Sequence, residues 1–361
     1  MAHSPPHLFV DISSHGFGHL AQTAPVLNCL AELLPGLRLT LRSGLPAERL
    51  RQRIVPAFGL IAAASDFGYV MHDAMRIDHA ATAAAYRAAS ADFSVQVERD
   101  ARLLRELGVD AVFTNVSYVP LAGASRIGIP AVAMCSLNWA DLFLHYFGSE
   151  QWAAAIHAEM LAAYRSATFL RTTPGMPMTS LDNVLTIGPI AGIGCERRVD
   201  LRERLGAGAT ARIVLAALGG IPTRLPVESW PVLANTHWLV PAAWNVRRPD
   251  ISSLETFGWP FADLLRSADA VLTKPGYGTF AEAAANGTAV LYQRRDDWPE
   301  QDCLIQWLHA NARCAEIGQE QVAGGQFADA LATVIAAPVP PRPAVDGVAA
   351  AAAILAQKLG T

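Results

Sequence analysis

The chain is short of lysine, of charge and of long apolar runs, and each shortage closes off a class of function. Of its 28 basic residues only Lys274 and Lys358 are lysines. With so many alanines, and arginine almost everywhere a lysine could stand, this looks like codon bias, and it makes Lys274 conspicuous. Charged residues make up 17% of the chain and the net charge is −4, which argues against a nucleic acid or an anionic membrane as the main ligand. Charge, Pro or Gly interrupts every apolar run well before the ~20 residues that a membrane helix requires. No integral membrane segment is expected, and any membrane contact would be peripheral. The five cysteines (Cys29, Cys135, Cys195, Cys303 and Cys314) form no C-x-x-C pair, and the opening M-A-H-S-P-P lacks a basic-then-apolar signal pattern. A reducing cytoplasm is the expected compartment. No metal-ligand spacing is present, and neither a metal nor a cofactor is expected.

What is present is a well-cored globular chain. At 361 residues, 52% of them hydrophobic, it fits two domains better than one. The most informative stretch, 270–301, reads A-V-L-T-K-P-G-Y-G-T-F-A-E-A-A-A-N-G-T-A-V-L-Y-Q-R-R-D-D-W-P-E-Q. A buried strand over 270–273 is broken by Pro275-Gly276, and helix-forming sequence follows until Asn286-Gly287. Such a turn leaves the free N–H groups and positive end of a helix open, with Gly276 and Gly278 removing the Cβ atoms that would block close approach. That is a seat for a phosphate. Glu282, one turn into the helix, lies where it could accept hydrogen bonds from sugar hydroxyls. The plainer alternative is a glycine-capped turn with a solvated glutamate.

The same plan opens the chain: strand 7–12, the turn S-S-H-G-F-G-H, and a helix over about 19–34. Gly16-x-Gly18-x-x-Ala21 and Gly276-x-Gly278-x-x-Ala281 share one spacing, weak singly and stronger when each half carries it. Between them strands alternate with helices: strands at 37–42, 58–63, 111–114, 131–135, 169–171 and 184–187, and helices at 47–54, 79–107, 119–126 and 151–166. An aromatic loop or helix, S-L-N-W-A-D-L-F-L-H-Y-F, follows Cys135. A glycine-rich linker at 188–194 precedes a second run: strands at 213–218, 238–240, 270–273 and 290–292, and helices at 201–205, 261–267, 301–312, 321–335 and 345–359. Alternation of this kind predicts parallel sheets covered on both faces. The expected architecture is α/β, two doubly wound Rossmann-like domains facing a central cleft, with ligands at the strand C-termini.

H-G-F-G-H-L-A-Q-T-A-P-V-L at the start, F-G-W-P-F-A-D-L-L-R-S-A-D-A-V-L-T-K-P-G-Y-G-T-F-A-E-A-A-A-N-G-T-A-V-L and the following D-W-P-E-Q carry a family resemblance. The chain resembles the GT-B glycosyltransferases, in the branch of the peptidoglycan UDP-GlcNAc transferase and the macrolide and plant UDP-sugar transferases. It is also similar to the transferase-like half of plant arabinokinases. Residues 45–200 match only in their αβ rhythm. The resemblance implies an acceptor-side domain over 1–190, a nucleotide-sugar domain over 191–340, and a last helix, 341–361, returning to the first domain. It implies that Gly276, Gly278 and Thr279 hold a diphosphate, that Glu282 binds ribose, and that Glu300-Gln301 contacts the donor sugar. Phe257 to Pro260, including Trp259, matches the segment that meets the base, and Gly219-Gly220 would face the phosphates from the other side. Plant members carry His-Cys-Gly where this chain has Lys274-Pro275-Gly276; a lysine there could neutralise the leaving diphosphate.

The implied reaction is an inverting, metal-independent transfer from a nucleoside-diphosphate sugar, UDP-linked by preference, to a small or lipid acceptor. A base must take the acceptor's proton. His19, at the first turn of its helix, would feel the positive dipole end and stay neutral; it matches the family's glycine-His motif, with His15 as the other candidate. Gly16, Gly18, Trp139 and Asp141 fall on the acceptor side: Trp139 as an acceptor floor or as core, Asp141 as a support for the base. Asp11, within the first strand, is expected to orient a turn. Three alternatives stay open: a nucleotide-sugar epimerase or hydrolase, an NADP-binding site at Gly16-x-Gly18 with Arg42 on the second strand, and a non-catalytic nucleotide-sugar-binding protein.

Overall fold

The computed structural model describes residues 5–360. The chain divides into two compact units. Unit 1 comprises residues up to His72, Ile77–Ile190 and the stretch from Val345 on; unit 2 comprises Asp73–Arg76 and Ala191–Ala344.

Unit 1 is built on seven parallel strands: β1 (His7–Ile12), β2 (Arg38–Arg42), β3 (Gly59–Ile61), β4 (Ala111–Asn115), β5 (Ala131–Cys135), β6 (Thr168–Arg171) and β7 (Val184–Thr186). Their spatial order is β3-β2-β1-β4-β5-β6-β7. Every residue of β1, β4 and β5 is buried, as expected of parallel strands covered on both faces. The order reverses between β1 and β4, whose register sets Ile12 opposite Asn115. A crevice at the strand C-termini forms at such a switch point, because the two adjacent connections leave toward opposite faces.

Unit 2 repeats the plan with β8 (Arg212–Ala216), β9 (Thr236–Val240), β10 (Ile251–Ser253), β11 (Ala270–Thr273), β12 (Ala289–Tyr292) and β13 (Cys314–Glu316), in the order β10-β9-β8-β11-β12-β13. Here the reversal lies between β8 and β11. The core under this sheet packs Val214, Ala216, Trp238, Leu272 and Leu291 around Phe327 and Trp230. Ala74 is buried in the same core, and its N–H donates to Thr223 Oγ1 at 2.7 Å.

The last helix, Gly347–Lys358, belongs to unit 1, where it packs on the helix Phe17–Leu33. Its start is fixed backbone to backbone: Gly347 N–H donates to Pro189 O at 3.2 Å, and a Cβ on Gly347 would overlap the carbonyl of Gly188.

Three expectations need correction. The helix expected over 79–107 is two helices, His79–Ala91 and Phe93–Leu107, broken at Asp92. The Ser90-Ala91-Asp92 stretch holds residues whose side chains compete with the helical backbone. The helix expected over 321–335 is also two, Gln319–Gly324 and Ala328–Ala336, because Gly325 turns left-handed at φ 66. Strands β10 and β13 were not foreseen; at three residues each they are too short to show a period.

Asp11 does more than orient a turn. Arg42 Nε meets Asp11 Oδ2 at 2.5 Å, and its two terminal nitrogens take both oxygens of Asp100 at 2.7 Å. All three residues are buried. The guanidinium is thus paired with two carboxylates inside unit 1. Arg42→Met leaves two carboxylates buried without their cation and is expected to cost about 3–5 kcal/mol, read as a lower urea midpoint.

Candidate active site

In unit 2 the site begins where β11 ends. Thr273 Oγ1 donates to Ala217 O at 2.6 Å, tying the end of β11 to the segment leaving β8. Lys274 and Pro275 follow, and Gly276 starts the helix Tyr277–Asn286 with no side-chain cap on its first N–H groups. Gly276 has φ −166, extended backbone open to any residue, so what it supplies is space: a Cβ would lie 3.3 Å from Lys274 Nζ. Gly219, after β8, is needed for its backbone as well, at φ 89, and a Cβ there would lie 3.9 Å from Lys274 Cε. The lysine therefore stands between two glycine turns that follow the two strands at the switch point.

Burial pulls the Lys274 ammonium down to about 7, with the charge of Arg295 acting the same way and Glu300 opposing both. Arg295 is itself buried and stacks 3.7 Å above the Trp298 ring. Trp298 Nε1 donates to Glu300 Oε2 at 3.0 Å. Gln301 is engaged at both ends of its amide: Oε1 accepts from Arg295 N at 3.0 Å, and Nε2 donates to Arg295 O at 3.2 Å. Glu300 thus faces the lysine, whereas Gln301 sets the shape of the loop.

Glu282 is 2% exposed, so the alternative of a solvated glutamate does not hold. A Cβ on Gly192 would lie 3.3 Å from Glu282 Oε1. The half-buried Trp259 has two guanidinium groups near its ring, Arg197 at 5.2 Å and Arg204 at 4.9 Å, the first also held by Asp263 at 2.9 Å.

In unit 1 the turn after β1 carries both histidines. Gly16, at φ 113, caps the helix Phe17–Leu33, and a Cβ on Gly18 would meet nothing within 4 Å. His19 lies third in that helix and is 6% exposed. Its Nδ1 is 2.8 Å from Asn115 Oδ1, directly across the switch point. Asn115 Nδ2 donates to Gln22 Oε1 at 3.3 Å, and Gln22 Nε2 donates to Ser136 Oγ at 3.1 Å. That order makes Asn115 Oδ1 an acceptor, so Nδ1 carries the proton and Nε2 the lone pair. Among the described residues Nε2 has no hydrogen-bond partner. Burial holds the imidazole down to about 4, with the Asn115 hydrogen bond opposing. The expected cause was the helix dipole; loss of hydration dominates instead.

The side chain that holds the His19 ring is Asn115, where Asp141 was expected. Asp141 is bound to Asn138, which caps its helix: Asp141 N–H donates to Asn138 Oδ1 at 2.8 Å, and Asn138 Nδ2 donates to Asp141 Oδ2 at 2.9 Å. Sequence reading missed Asn115 because no spacing links β4 to the turn after β1; only the sheet order does. Asn115→Asp puts a carboxylate against the imidazole and is expected to raise the His19 pKa by about 1–3, followed through its ring protons in an NMR titration.

His15 sits edge-on to Trp139, with ring centroids 5.4 Å apart, and so tightly on Gly68 that a Cβ there would come within 2.8 Å of the imidazole. Trp139 is fully buried, with its ring 5.7 Å from that of His19. Its Nε1 donates to Asp66 Oδ2 at 2.8 Å. Asp66 is a second residue not foreseen from sequence. It also accepts from Ser13 Oγ at 2.8 Å and Ser117 Oγ at 3.2 Å, while burial, with the Asp11 charge second, pushes it up to about 6. Among the described residues no three His, Cys, Asp or Glu side chains gather as metal ligands, and no helix is long and apolar enough to cross a membrane.

The two sheet orders and the two turns can be set against known proteins. The glycotransferase of kitacinnamycin superposes with a TM-score of 0.62 at 16% identity, covering 99% of this chain and 95% of that one. A UDP-glucosyltransferase from Polygonum tinctorium, capable of glucosylating indoxyl, gives 0.60 at 15% identity over the full length of both chains. The chain has the GT-B fold. In sequence, this GT-B chain is 23% identical over 326 residues to the L-arabinokinase of Arabidopsis thaliana, a match covering 88% of this chain and 31% of that protein. It therefore spans about a third of the relative's length. No protein-family model matches the chain.

Proposed function

We propose that the protein transfers a sugar from a nucleoside-diphosphate sugar to the hydroxyl of an acceptor, with inversion and without a metal ion. The observation that carries this is Lys274 standing between the Gly219 and Gly276 turns, beside an uncapped helix N-terminus. An ammonium buried there without a bound anion is costly. A diphosphate would repay that cost, accepting from the helix N–H groups and from Lys274 together. Glu282 takes the ribose hydroxyls, Glu300 the donor sugar, and Trp259 the neighbourhood of the base. UDP is the nucleotide of choice, being the donor class named for the Polygonum structure.

In the transfer step the acceptor oxygen attacks the anomeric carbon and the bond from that carbon to the diphosphate breaks. The electron pair leaves with the nucleoside diphosphate, whose charge falls on the helix mouth and Lys274. The acceptor's proton passes to His19 Nε2, kept in the accepting tautomer by Asn115. An imidazole this weakly basic suits a concerted path, in which the hydroxyl becomes acidic only as its oxygen bonds to carbon.

Calorimetric titration with UDP, dTDP and GDP tests the reading. UDP is expected to bind and to be released from a UDP-sugar only when an acceptor is present. Binding of none of the three removes the proposal, and release of free sugar or a sugar isomer without acceptor replaces it with hydrolysis or epimerisation.

A further inference from the structure

Unit 1 holds a cavity of about 280 Å³ lined in part by the loop that carries Asp66. Sites for drug-sized ligands begin at ~300 Å³, so this space suits one small ring compound. Its lining residues include Phe67, Tyr86, Tyr118 and Trp139, of which Tyr86 and Trp139 are almost fully buried, and the polar residues Asp66 and Gln96. No lysine or arginine lines it, so a phosphate or carboxylate on the guest would meet the Asp66 carboxyl with nothing to offset it.

The hydrogen-bond capacity left in the cavity narrows the guest further. Tyr86 already donates its hydroxyl to Gly68 O at 2.8 Å, and Trp139 gives its Nε1 to Asp66. Gln96 Nε2 donates to Ala89 O at 3.2 Å, leaving Oε1 as an acceptor. The Tyr118 hydroxyl has no hydrogen-bond partner among the described residues. Asp66 Oδ1 has accepted one bond, from Ser13. What remains is two acceptors and one hydroxyl that can play either part, set among aromatic walls.

We infer that this cavity binds an uncharged, monosaccharide-sized polyol, which donates hydroxyls to Asp66 and Gln96, exchanges one with Tyr118, and lays its C–H faces on the aromatic rings. The inference rests on the proposed function in one respect: if unit 1 is the acceptor side, such a polyol is the acceptor or the part of it that is recognised. Asp66 is then a positioning residue, whose carboxyl Ser13, Ser117 and Trp139 hold in place before the ligand arrives. A cationic guest is the competing occupant, since a carboxylate among aromatic rings also suits a cation, and the cationic control decides between the two.

The test is direct binding, independent of turnover. The full-length protein is titrated with D-glucose, D-xylose and myo-inositol, with glucose 6-phosphate as the anionic control and tetramethylammonium as the cationic one, each by calorimetry and by saturation-transfer NMR. At least one neutral polyol is expected to bind. Tyr118→Phe should weaken it about 5- to 20-fold by removing one hydrogen bond from a desolvated site. Ala89→Trp, which fills the cavity from a half-exposed helix position, should abolish it. Both variants should bind UDP as the parent does, which reports unit 2 intact, and should keep the parent's His19 ring-proton shifts in NMR, which report unit 1 folded. Preference for either charged control overturns the inference, as does polyol binding that survives Ala89→Trp. Failure of every polyol while UDP still binds overturns it and leaves the proposed function standing; loss of UDP binding in the parent strikes the proposed function itself.

Discussion

Replacing Lys274 with methionine is expected to weaken UDP binding roughly 10- to 100-fold and, at pH 6, to make the protein more stable. The two effects have one cause. A charge-assisted bond to a phosphate contributes about 1.5–3 kcal/mol, which sets the loss of affinity. The same ammonium without its anion is a burden on the fold. With a pKa near 7 in the folded chain, against an ordinary value of 10.5, the folded state binds fewer protons than the unfolded state between those two pH values. Below pH 7 the lysine is protonated in both states and the full burial cost is present. As pH rises from 7 to 10.5 the cost fades, so the parent gains stability through that window. Lys274→Met should therefore be the more stable protein at pH 6, by on the order of 2–4 kcal/mol, with the gap closing toward pH 10. Urea midpoints at pH 6, 8 and 10, together with UDP titrations, check both. A variant that loses UDP binding and stability alike would show that Lys274 is an ordinary structural residue.

His19→Ala should lower kcat by about 10²- to 10⁴-fold while leaving the Kd for UDP unchanged, since in the proposed step it removes the proton acceptor and it alters no residue of unit 2. The split between the two constants is the informative result. Loss of UDP affinity with little change in kcat would assign the proton transfer elsewhere. There is a stability counterpart here as well. The folded pKa of about 4 lies below the ordinary 6.5, so the parent loses stability as pH falls from 6.5 to 4, and the alanine variant should lack that part of the loss. Asp66 works in the opposite sense: raised to about 6, its carboxyl favours the fold below pH 3.8 and loses that contribution as pH climbs through 6.

Much of this fold is written in local pattern, because buried parallel strands read as short apolar runs and glycine turns mark their ends. The turn at Gly276 and its lysine were visible for that reason: all their parts lie within a few residues. The partner of His19 was not, because Asn115 stands 96 positions away and meets it only through the order of β1 and β4. Asp66 was hidden in another way, lying in an irregular loop with no period, and its character comes from burial among Ser13, Ser117 and Trp139. Gln301 shows a third limit. Its place in a recurrent motif suggested a sugar contact, and the structure shows its amide spanning the backbone of Arg295, a link that spacing alone cannot reveal.

The helix Gly347–Lys358 has a bearing on how the chain is made. It packs on the helix that begins just after the first glycine turn, so unit 1 is completed by residues that follow the main segment of unit 2 in the chain. During translation unit 2 can close as soon as Ala344 is clear of the ribosome, while unit 1 waits with part of its apolar surface open. Until that helix docks, the surface that Ala351, Ala352 and Leu355 cover in the finished fold stays open.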